Sequence, residues 1–565
     1  MLAPEKQQQF QALIDTSTAA EWLWMSGYLA ALANGKTTGL PAPPPNQATP
    51  VAAATITVVY GTETGNSKKV ATQLTGKLKQ AGHKTKLVAA ESFNHELLSK
   101  EQMFILAIST QGEGEPPANA RKLYDYLHQS QTGLPQLQYS IVALGSKSYP
   151  LFCQAGIDVD TQLKRLQAKP LLPITLCDDD YEAVAEAWMN SLLNVLGNNA
   201  SKPASVVVTK AEGKRYFKAT LGSKVLLNDR ESNKKVYHLE FDLPEEVTYT
   251  PGNAIGIIPK NDSAVVQKLL QLLQLPPHQT LRFKDTEAEA KTLFEEKIAI
   301  HYLTLSVIKK YAHLVQADIP ETRMDLYDLL RIYPLPAEYE VQELLDLLNP
   351  ISPRIYTISS APNAHPGQIH LTVALDAFES NGSTHYGFGS GYLTQLKPGT
   401  ELTLFLHQQK NFQLPRTEKR LIMIGAGTGI APFRSMLAER DATAASGQNW
   451  LLWGEENFVS DFYYQTELQA LLETGSLHHA HFAFTKNGPA VKQVHQLVLE
   501  QSKRLWQWIN LGAYIMVSGH KEPMGRLVEE ALLQIIAAEK QVSATEAAAY
   551  LKQMTKEGRY AKELY

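Results

Sequence analysis

The sequence predicts a multidomain α/β protein. Its 565 residues are more than one hydrophobic core usually holds, so about three or four domains are expected. Several short apolar segments run into a loop of small or hydroxyl residues and then into a helical pattern, as strands of a parallel sheet do. The clearest is LIMIGAGTGIAPFRSML, at Leu421–Leu437. Its small residues let the backbone approach a diphosphate at the start of a helix, so we expect a dinucleotide there; a tight turn without a ligand is the alternative.

The composition is that of an ordinary globular protein, with 44% hydrophobic and 19% charged residues. A net charge of -4 argues against a general nucleic-acid binder. The only cysteines are Cys153 and Cys177, which excludes a disulfide framework and any metal or iron–sulfur site held by clustered cysteines. We therefore expect no metal site and a reducing, cytoplasmic location.

Residues 1–33 are predicted to form a helical assembly segment. Its apolar run, WLWMSGYLAALA at Trp22–Ala33, is too short for a membrane span, so no membrane association is expected. The run packs either on the chain's own body or on a partner subunit, and the second possibility predicts a homo-oligomer. Residues 34–54 are rich in proline and small residues, which predicts a linker.

Residues 55–197 are predicted to form the first α/β domain, in which three strands end in polar loops. The first loop follows Thr55 in TITVVYGTETGNSKKVATQL, and the others lie in Met103–Ala120 and Ser140–Gly156. Loops at the carboxyl ends of neighbouring parallel strands converge on one crevice, so the three should share a ligand. Hydroxyl groups in the first loop suit a mononucleotide phosphate, and the missing P-loop lysine disfavours ATP hydrolysis.

The motifs TETGNS, STQGEGEPP and LGSKSYPLFC resemble the flavodoxin-like FMN domain of diflavin reductases. The resemblance implies that the FMN phosphate is held by Thr62, Glu63, Thr64, Gly65, Asn66 and Ser67. It implies that the flavin ring is lined by Ser109, Thr110, Gln111, Gly112, Leu144, Gly145, Tyr149, Phe152 and Cys153. Tyr149 would stack on the ring; an ordinary half-buried tyrosine is the alternative.

Residues 206–418 resemble the FAD-binding antiparallel β-barrel of the same family, through RIYTISSAP, HLTVAL and GFGSGYL. Leucines at helical spacing predict a helical insert at about residues 261–350. The resemblance implies that Arg354 pairs with the FAD diphosphate and that Tyr356 packs on the flavin. The residues that it assigns to this site are Arg354, Ile355, Tyr356, Thr357, Thr372, Val373, Ala374, Gly387, Phe388, Gly389 and Ser390.

Residues 419–565 resemble the ferredoxin reductase-like NADP-binding α/β domain, which begins with the glycine-rich loop containing Gly427 and Thr428. In this family a terminal aromatic residue covers the FAD ring until the nicotinamide displaces it, and Tyr565 occupies that place. The family also has serine, cysteine and aspartate around the nicotinamide, whereas this chain has Thr357, Ser518 and Glu563. Because each replacement keeps a polar group, the resemblance implies a working but slower or retuned catalytic site.

The expected site for the 2′-phosphate of NADPH is also altered. A serine–arginine pair followed by a lysine is replaced by Thr485 and Lys486, with Lys492 as a further cation. Lysine neutralises a phosphate but lacks the planar fork of arginine, and solvated surface lysines are the alternative. Preference for NADPH over NADH therefore stays open.

The resemblance as a whole implies a cytoplasmic diflavin reductase that uses NADPH, FAD and FMN. Electrons would pass from NADPH to FAD, then to FMN, and then to a separate haem or iron–sulfur protein or to another acceptor protein. Two alternatives are a diflavin reductase with a different acceptor, and a flavin electron-carrier subunit whose nicotinamide site has decayed. No motif identifies the acceptor.

Overall fold

The computed structural model describes residues 55–63, 65–112, 114–146, 149, 151–178, 181–197, 215–244, 246–322, 324–380, 383–409, 411–487 and 491–565. The predicted assembly segment and linker, residues 1–54, lie outside these ranges, as does Thr64. No helix within the described ranges is both long and apolar enough to cross a bilayer.

The first domain is a parallel sheet with helices on both faces. Its strands are β1 (Ile56–Gly61), β2 (Thr85–Ala89), β3 (Met103–Ser109), β4 (Gln138–Leu144), β5 (Lys169–Pro170) and β6 (Thr175–Cys177). Its helices are α1 (Asn66–Gln80), α2 (Arg121–Gln129), α3 (Gln154–Arg165) and α4 (Tyr181–Leu196). The strand order is β2-β1-β3-β4-β5, with β6 also on β4. This is the doubly wound order of flavodoxin-like folds, and the central strands β1, β3 and β4 are mostly buried because a hydrophobic cluster covers each face of the sheet.

The middle of the chain contains an antiparallel sheet that is interrupted by an insert. Its strands are β7 (Tyr216–Leu226), β8 (Val236–Asp242), β9 (Ala254–Ile257), β10 (Thr280–Phe283), β11 (Thr286–Glu289), β12 (Arg354–Thr357), β13 (Gln368–Ala374), β14 (Ala377–Ser380), β15 (Ser383–Tyr386) and β16 (Glu401–His407). Its helices are α5 (Ser263–Leu272), α6 (Ala290–Glu296), α7 (Leu305–Val315), α8 (Leu326–Ile332), α9 (Val341–Leu347) and α10 (Phe388–Gln395). Six strands pair in the order β12-β9-β16-β7-β8-β13, and every neighbouring pair is antiparallel. An antiparallel bridge between Ile358 and Leu371 joins the two ends of this order, which brings the sheet round on itself as a barrel requires.

The insert between β9 and β12 has a hydrophobic core of its own, formed by residues between Val266 and Leu348. Asp262 caps α5, because its Oδ1 accepts hydrogen bonds from the amides of Ala264 and Val265 at 2.7 and 3.3 Å. One feature differs from the expected all-helical insert. The hairpin β10–β11 turns at Lys284, whose φ is 52°, and its strands are too short to give a strand pattern in the sequence.

The last domain is a second parallel sheet. Its strands are β17 (Leu421–Ala426), β18 (Asn449–Asn457), β19 (His479–Asn487), β20 (Tyr514–Gly519) and β21 (Tyr560–Leu564). Its helices are α11 (Ile430–Ala442), α12 (Gln465–Thr474), α13 (Val494–Glu500), α14 (Ser502–Asn510), α15 (Arg526–Lys540) and α16 (Ala544–Lys556). The order is β19-β18-β17-β20-β21. The chain terminus is thus an edge strand, and its register places Glu563 opposite Ser518.

A buried arginine joins the barrel to the last domain. Arg434, on α11, donates to the carbonyl oxygen of Ser359 at 2.9 Å and to Nδ1 of His370 at 3.2 Å. Its other nitrogens form a two-point ion pair with Glu467 at 2.7 and 3.0 Å. The guanidinium also lies over the ring of Tyr464, 4.8 Å from its centre. Because arginine's donors lie in one plane, these contacts fix the orientation of α11 against the barrel.

Candidate functional site

The first loop of the flavodoxin-like domain is held in shape by hydrogen bonds within the protein. Gly65 has a φ of 91° and its amide donates to Oγ1 of Thr62 at 2.9 Å, which turns the chain into α1. The backbone of Thr62 is held on both sides by Asn119, through two hydrogen bonds of 3.0 Å. A left-handed conformation at Gly65 suits glycine, and it places the start of α1 at the carboxyl edge of the sheet.

Two buried hydroxyl groups at this edge support a fit to a phosphate-bearing flavin. The Oγ atoms of Ser67 and Ser109 are buried and have no hydrogen-bond partner among the described residues. A buried hydroxyl without a partner is costly, so both atoms suit a ligand that accepts hydrogen bonds. A pocket of about 380 Å³ adjoins the loop and is lined by Thr62, Glu63, Glu91, Ala118, Asn119 and Lys122.

The second and third loops meet as expected. The amide of Thr110 donates to the carbonyl of Leu144 at 2.8 Å, and Oγ1 of Thr110 accepts from the amide of Ala155 at 3.2 Å. Gln111 and Glu115 exchange two backbone hydrogen bonds of 2.9 Å, and Gly112 lies at the turn between them. These bonds hold the second loop in shape and tie it to the start of α3.

The predicted ring-lining residues differ in their exposure. Cys153 is buried, and its thiol donates to the carbonyl of Ala143 at 3.2 Å. A Cβ added at Gly145 would lie 2.8 Å from the amide nitrogen of Cys153, so this pair packs the loop against β4. Tyr149 has 37% of its surface exposed and Phe152 is half-buried. Tyr149 and Phe152 are therefore better placed than Cys153 to contact a ring.

The predicted FAD diphosphate residues lie together at the start of α10. A Cβ added at Gly389 would lie 2.6 Å from Cγ of Arg354 and 2.7 Å from the hydroxyl of Tyr356. The guanidinium of Arg354 lies 5.8 Å from the centre of the Phe388 ring. Ser390 Oγ accepts from the amide of Asp376 at 3.1 Å. A cation beside a glycine-containing helix start fits a diphosphate, so the residues present suit FAD.

The strand segment Thr372–Ala374 makes other contacts. The hydroxyl of Thr372 shares a buried hydrogen bond of 2.7 Å with the hydroxyl of Tyr464. Val373 lies in the hydrophobic core of the barrel, and only Ala374 is exposed. Thr372 therefore joins the barrel to the last domain, and Val373 packs inside the barrel.

Glu563 is the centre of the predicted nicotinamide site. Its Oε1 accepts hydrogen bonds from the hydroxyl of Thr357 and, at 2.8 Å, from the amide of Gln409. Its Oε2 accepts from the hydroxyl of Ser518 at 3.4 Å. Burial raises the pKa of Glu563 above its usual range, and these three donors partly offset the rise. The structure thus brings Thr357, Ser518 and Glu563 together, and it adds Gln409, for which the sequence offered no motif.

Tyr565 lies beside the glycine-rich loop. Its hydroxyl shares a hydrogen bond of 2.5 Å with Oγ1 of Thr428, and its ring lies edge-on to His520 at 5.0 Å. The backbone of Tyr565 is also fixed, because its carbonyl accepts from the amide of Lys521 at 2.9 Å. The residue as a whole is 54% exposed, so it lies at the protein surface.

The glycines of that loop have two different roles. A Cβ at Gly429 would lie 2.2 Å from the carbonyl oxygen of Ser518, so Gly429 allows the loop to pack closely against β20. Gly427 has a φ of 59°, and a Cβ added there would lie 3.3 Å from the nearest atom, a carboxylate oxygen of Glu455. Gly427 and Thr428 therefore form the part of the loop that faces the carboxyl edge of the sheet.

The predicted 2′-phosphate residues are paired with carboxylates. Lys486 Nζ lies 2.5 Å from Glu456 Oε2, and Lys492 Nζ donates to both oxygens of Glu500 at 2.6 and 2.9 Å. Thr485 is exposed on the same strand as Lys486. The sequence did not indicate these pairings, because both carboxylates lie on other elements.

Three potential metal ligands, His238, Glu240 and His370, have atoms within 4.8 Å of one another among the described residues. The tautomer of His370 argues against a metal. Arg434 can only donate, so Nδ1 of His370 accepts, and the ring proton must lie on Nε2, facing the amide oxygen of Gln368 at 3.1 Å. Neither nitrogen of His370 then offers a lone pair to an ion, so the cluster serves packing.

The first loop of the flavodoxin-like domain contacts the last domain. Lys521 Nζ lies 3.5 Å from Glu63 Oε1, and both side chains are about half exposed. Because Lys521 also binds the backbone of Tyr565, the predicted FMN phosphate loop lies close to the predicted nicotinamide site.

Comparisons with known proteins agree with this arrangement. Three family models match in order: Flavodoxin at residues 58–188, FAD binding domain at 209–317 and 320–392, and Oxidoreductase NAD-binding domain at 423–530. The chain is similar to three proteins named sulfite reductase (NADPH) flavoprotein alpha-component. They come from Bacillus subtilis (32% identity, covering 100% of this chain and 99% of the relative), Cronobacter sakazakii (33%, 100% and 98%) and Neisseria meningitidis serogroup B (34%, 98% and 96%). The predicted flavodoxin-like, FAD-binding and nicotinamide-binding folds are thereby confirmed.

Proposed function

Because the chain belongs to the family of sulfite reductase (NADPH) flavoprotein alpha-components, we propose that it is a diflavin reductase using NADPH, FAD and FMN. Its acceptor is a separate metalloprotein, the haem- and iron–sulfur-containing subunit of an assimilatory sulfite reductase. The phrases STQGEGEPP, FCQAG and GTGIAPFR also favour this member of the diflavin reductases. The observation that carries the proposal is the convergence of Thr357, Gln409 and Ser518 on Glu563.

When bound, FAD accepts an electron pair from the nicotinamide and FMN releases electrons singly, which couples a two-electron donor to a one-electron acceptor. The chain's residues supply binding and orientation. The first loop, residues 62–67, holds the FMN phosphate, with Ser67 Oγ as a buried donor. Ser109 Oγ serves the same cofactor from the end of β3. Tyr149 and Phe152 provide the ring contacts.

The barrel and the last domain hold the other two cofactors. Arg354 and the start of α10 bind the FAD diphosphate, and Tyr356 packs on the flavin. Gly427 and Thr428 receive the nicotinamide dinucleotide, and Tyr565 covers the flavin ring in its absence. The Glu563 carboxylate stabilises the positive charge that develops on the nicotinamide, while Thr357 and Ser518 fix its two oxygens.

The proposed domains are residues 55–197 for FMN, 206–418 for FAD with the insert at about 261–350, and 419–565 for the nicotinamide dinucleotide. We also propose that residues 1–33 form a homo-oligomer and that residues 34–54 are a linker. Deleting residues 1–33 should reduce the number of chains per assembly in solution and should not affect reduction of a small dye. An unchanged assembly size would contradict the assembly role. Cys153 and Cys177 are both buried and form no disulfide bond, which supports a cytoplasmic location.

The decisive test is a cofactor assay on the purified protein, followed by anaerobic mixing with NADPH and then with NADH. One FAD and one FMN per chain, with prompt bleaching of flavin absorbance, is the expected result. Colourless protein that takes up neither flavin would overturn the proposal. Flavins that neither nucleotide reduces would indicate a carrier subunit with another donor. Mixing the reduced protein with sulfite reductase haemoprotein and with unrelated haemoproteins separates the proposed acceptor from others.

A further inference from the structure

Glu456 lies beside Lys486, a residue of the proposed 2′-phosphate site. It is near the end of β18, next to β19, and its Oε2 lies 2.5 Å from Lys486 Nζ. Its Oε1 lies 3.2 Å from Lys234 Nζ, and Lys234 also pairs with the neighbouring Glu455. Two lysines and two carboxylates thus form a chain of ion pairs in which every charge has an opposite partner.

The network leaves Lys486 with its charge already neutralised. The hydrogen bond from Lys486 holds the pKa of Glu456 below its usual range, and Lys234 adds to that effect, so the carboxylate is ionised at neutral pH. Lys492, the other proposed cation, donates to both carboxylate oxygens of Glu500. A dianionic 2′-phosphate that reaches Lys486 would therefore meet the charge of Glu456 at the same place.

A ribose 2′-hydroxyl would interact with Glu456 differently from a 2′-phosphate. It carries no charge and can donate a hydrogen bond, for which a carboxylate is a strong acceptor. Acidic residues select the 2′-hydroxyl of NADH in other dinucleotide sites for this reason. The Glu456 carboxylate thus disfavours binding of NADPH and favours binding of NADH.

We propose that Glu456 is a specificity-determining residue, which lowers the preference for NADPH and allows the protein to use NADH as well. Its carboxylate competes with the 2′-phosphate of NADPH for Lys486, and it accepts the 2′-hydroxyl of NADH. The proposal rests on the proposed function, because it takes Lys486 as part of the nucleotide site.

The test is the ratio of kcat/KM for NADPH to that for NADH, measured with a dye acceptor. Glu456→Gln removes the charge and keeps the shape, and we expect it to raise the ratio about tenfold, mainly through a lower KM for NADPH. Glu401→Gln is the matched control, because Glu401 forms an exposed pair with Lys218 at 2.8 Å on the barrel. In a Lys486→Gln background, the substitution of Glu456 should change the ratio much less, because the lysine for which the carboxylate and the phosphate compete is gone.

Binding gives a readout that does not depend on turnover. Glu456→Gln should tighten binding of adenosine 2′,5′-bisphosphate about tenfold by calorimetry and leave 5′-AMP within about twofold. Glu456→Ser serves as a second variant if Glu456→Gln lowers the yield of folded protein. Flavin reduction by both nucleotides with an unchanged ratio in the folded variants would overturn this inference alone. Failure of both nucleotides to reduce the wild-type flavins would overturn the proposed function instead.

Discussion

Gln409 donates a 2.8 Å hydrogen bond to Oε1 of Glu563, although the two residues are 154 positions apart in the chain. Gln409 follows β16 of the barrel, whereas Glu563 lies on the terminal strand of the last domain. The bond therefore fixes the carboxyl group across the boundary between two domains. Because a donor stabilises the ionised carboxylate, Gln409 also opposes the effect of burial on Glu563.

Replacing Gln409 should weaken the nicotinamide site without emptying it. Gln409→Leu removes the donor, so the pKa of Glu563 should rise further and less of the carboxylate should be ionised at neutral pH. We expect flavin reduction by NADPH to slow about fivefold, with the pH profile displaced to higher pH. Stopped-flow measurement of flavin absorbance across pH is the check. Gln413→Leu, an exposed position on the same segment, is the control; equal effects of both variants would contradict a positioning role for Gln409.

The pH dependence of stability should reveal the buried carboxyl group of Glu563. Its pKa in the folded protein is raised above the ordinary value of 4.5, so the folded state keeps a proton that the unfolded chain releases. The free energy of unfolding should therefore fall as the pH rises from that value through the raised pKa. Glu563→Gln cannot titrate, so its stability relative to wild type should increase over the same window. Denaturant unfolding at a series of pH values measures this, and a difference that does not change with pH would refute the raised pKa.

Removing Tyr565 should affect the nicotinamide step more than the fold. Tyr565 is 54% exposed, and its side chain donates or accepts one hydrogen bond, with Thr428. Deleting it exposes the proposed flavin face, so we expect the KM for NADPH or the rate of flavin reduction to change about threefold or more. Rapid mixing measures the rate of flavin reduction, and thermal unfolding measures any loss of stability. Tyr565→Phe removes only the hydroxyl, so it separates the contribution of the hydroxyl from that of the ring. Kinetics that match wild type in the deletion would contradict the stacking role.

Loss of Arg434 should destabilise the protein strongly. Its side chain is only 10% exposed, and removal leaves the carbonyl of Ser359 and Nδ1 of His370 without their donor. We expect Arg434→Met to lower the free energy of unfolding by about 3 kcal/mol. Arg331→Met provides the comparison, because Arg331 forms an exposed pair with Asp328 and should cost well under half as much. Similar losses in the two variants, measured by denaturant unfolding, would show that the buried network contributes little.

The contact between Lys521 and Glu63 should influence electron transfer from the last domain to the flavodoxin-like domain. The pair spans 3.5 Å and both side chains are about half exposed, so salt should screen it. We expect Glu63→Gln to slow reduction of a one-electron dye about twofold at low salt and to reduce the salt dependence. Glu96→Gln, an exposed carboxylate elsewhere in the same domain, is the control. A salt response identical to that of wild type would contradict the role of this pair.

Much of the architecture could be predicted from local sequence, because the loops that follow β1, β3 and β17 depend on adjacent residues. Gly65 and Gly427 have the positive φ that their loops need, and their motifs show it. Gln409 and Glu456 could not be found this way, since each acquires its role from a partner on another element. The hairpin β10–β11 was missed because four-residue strands give too little alternation to be distinguished from loop.

The insert also has a consequence for how the molecule folds. Ile257, at the end of β9, is the register partner of Arg354, at the start of β12, so the insert begins and ends at one point of the barrel. Because the insert has a core of its own, it can fold first. Its two ends are then already adjacent, so the entropic cost of closing the loop between β9 and β12 has largely been met. Two distant stretches of sequence can then pair like an ordinary hairpin, and the rate of barrel formation should depend on the stability of the insert more than on its length.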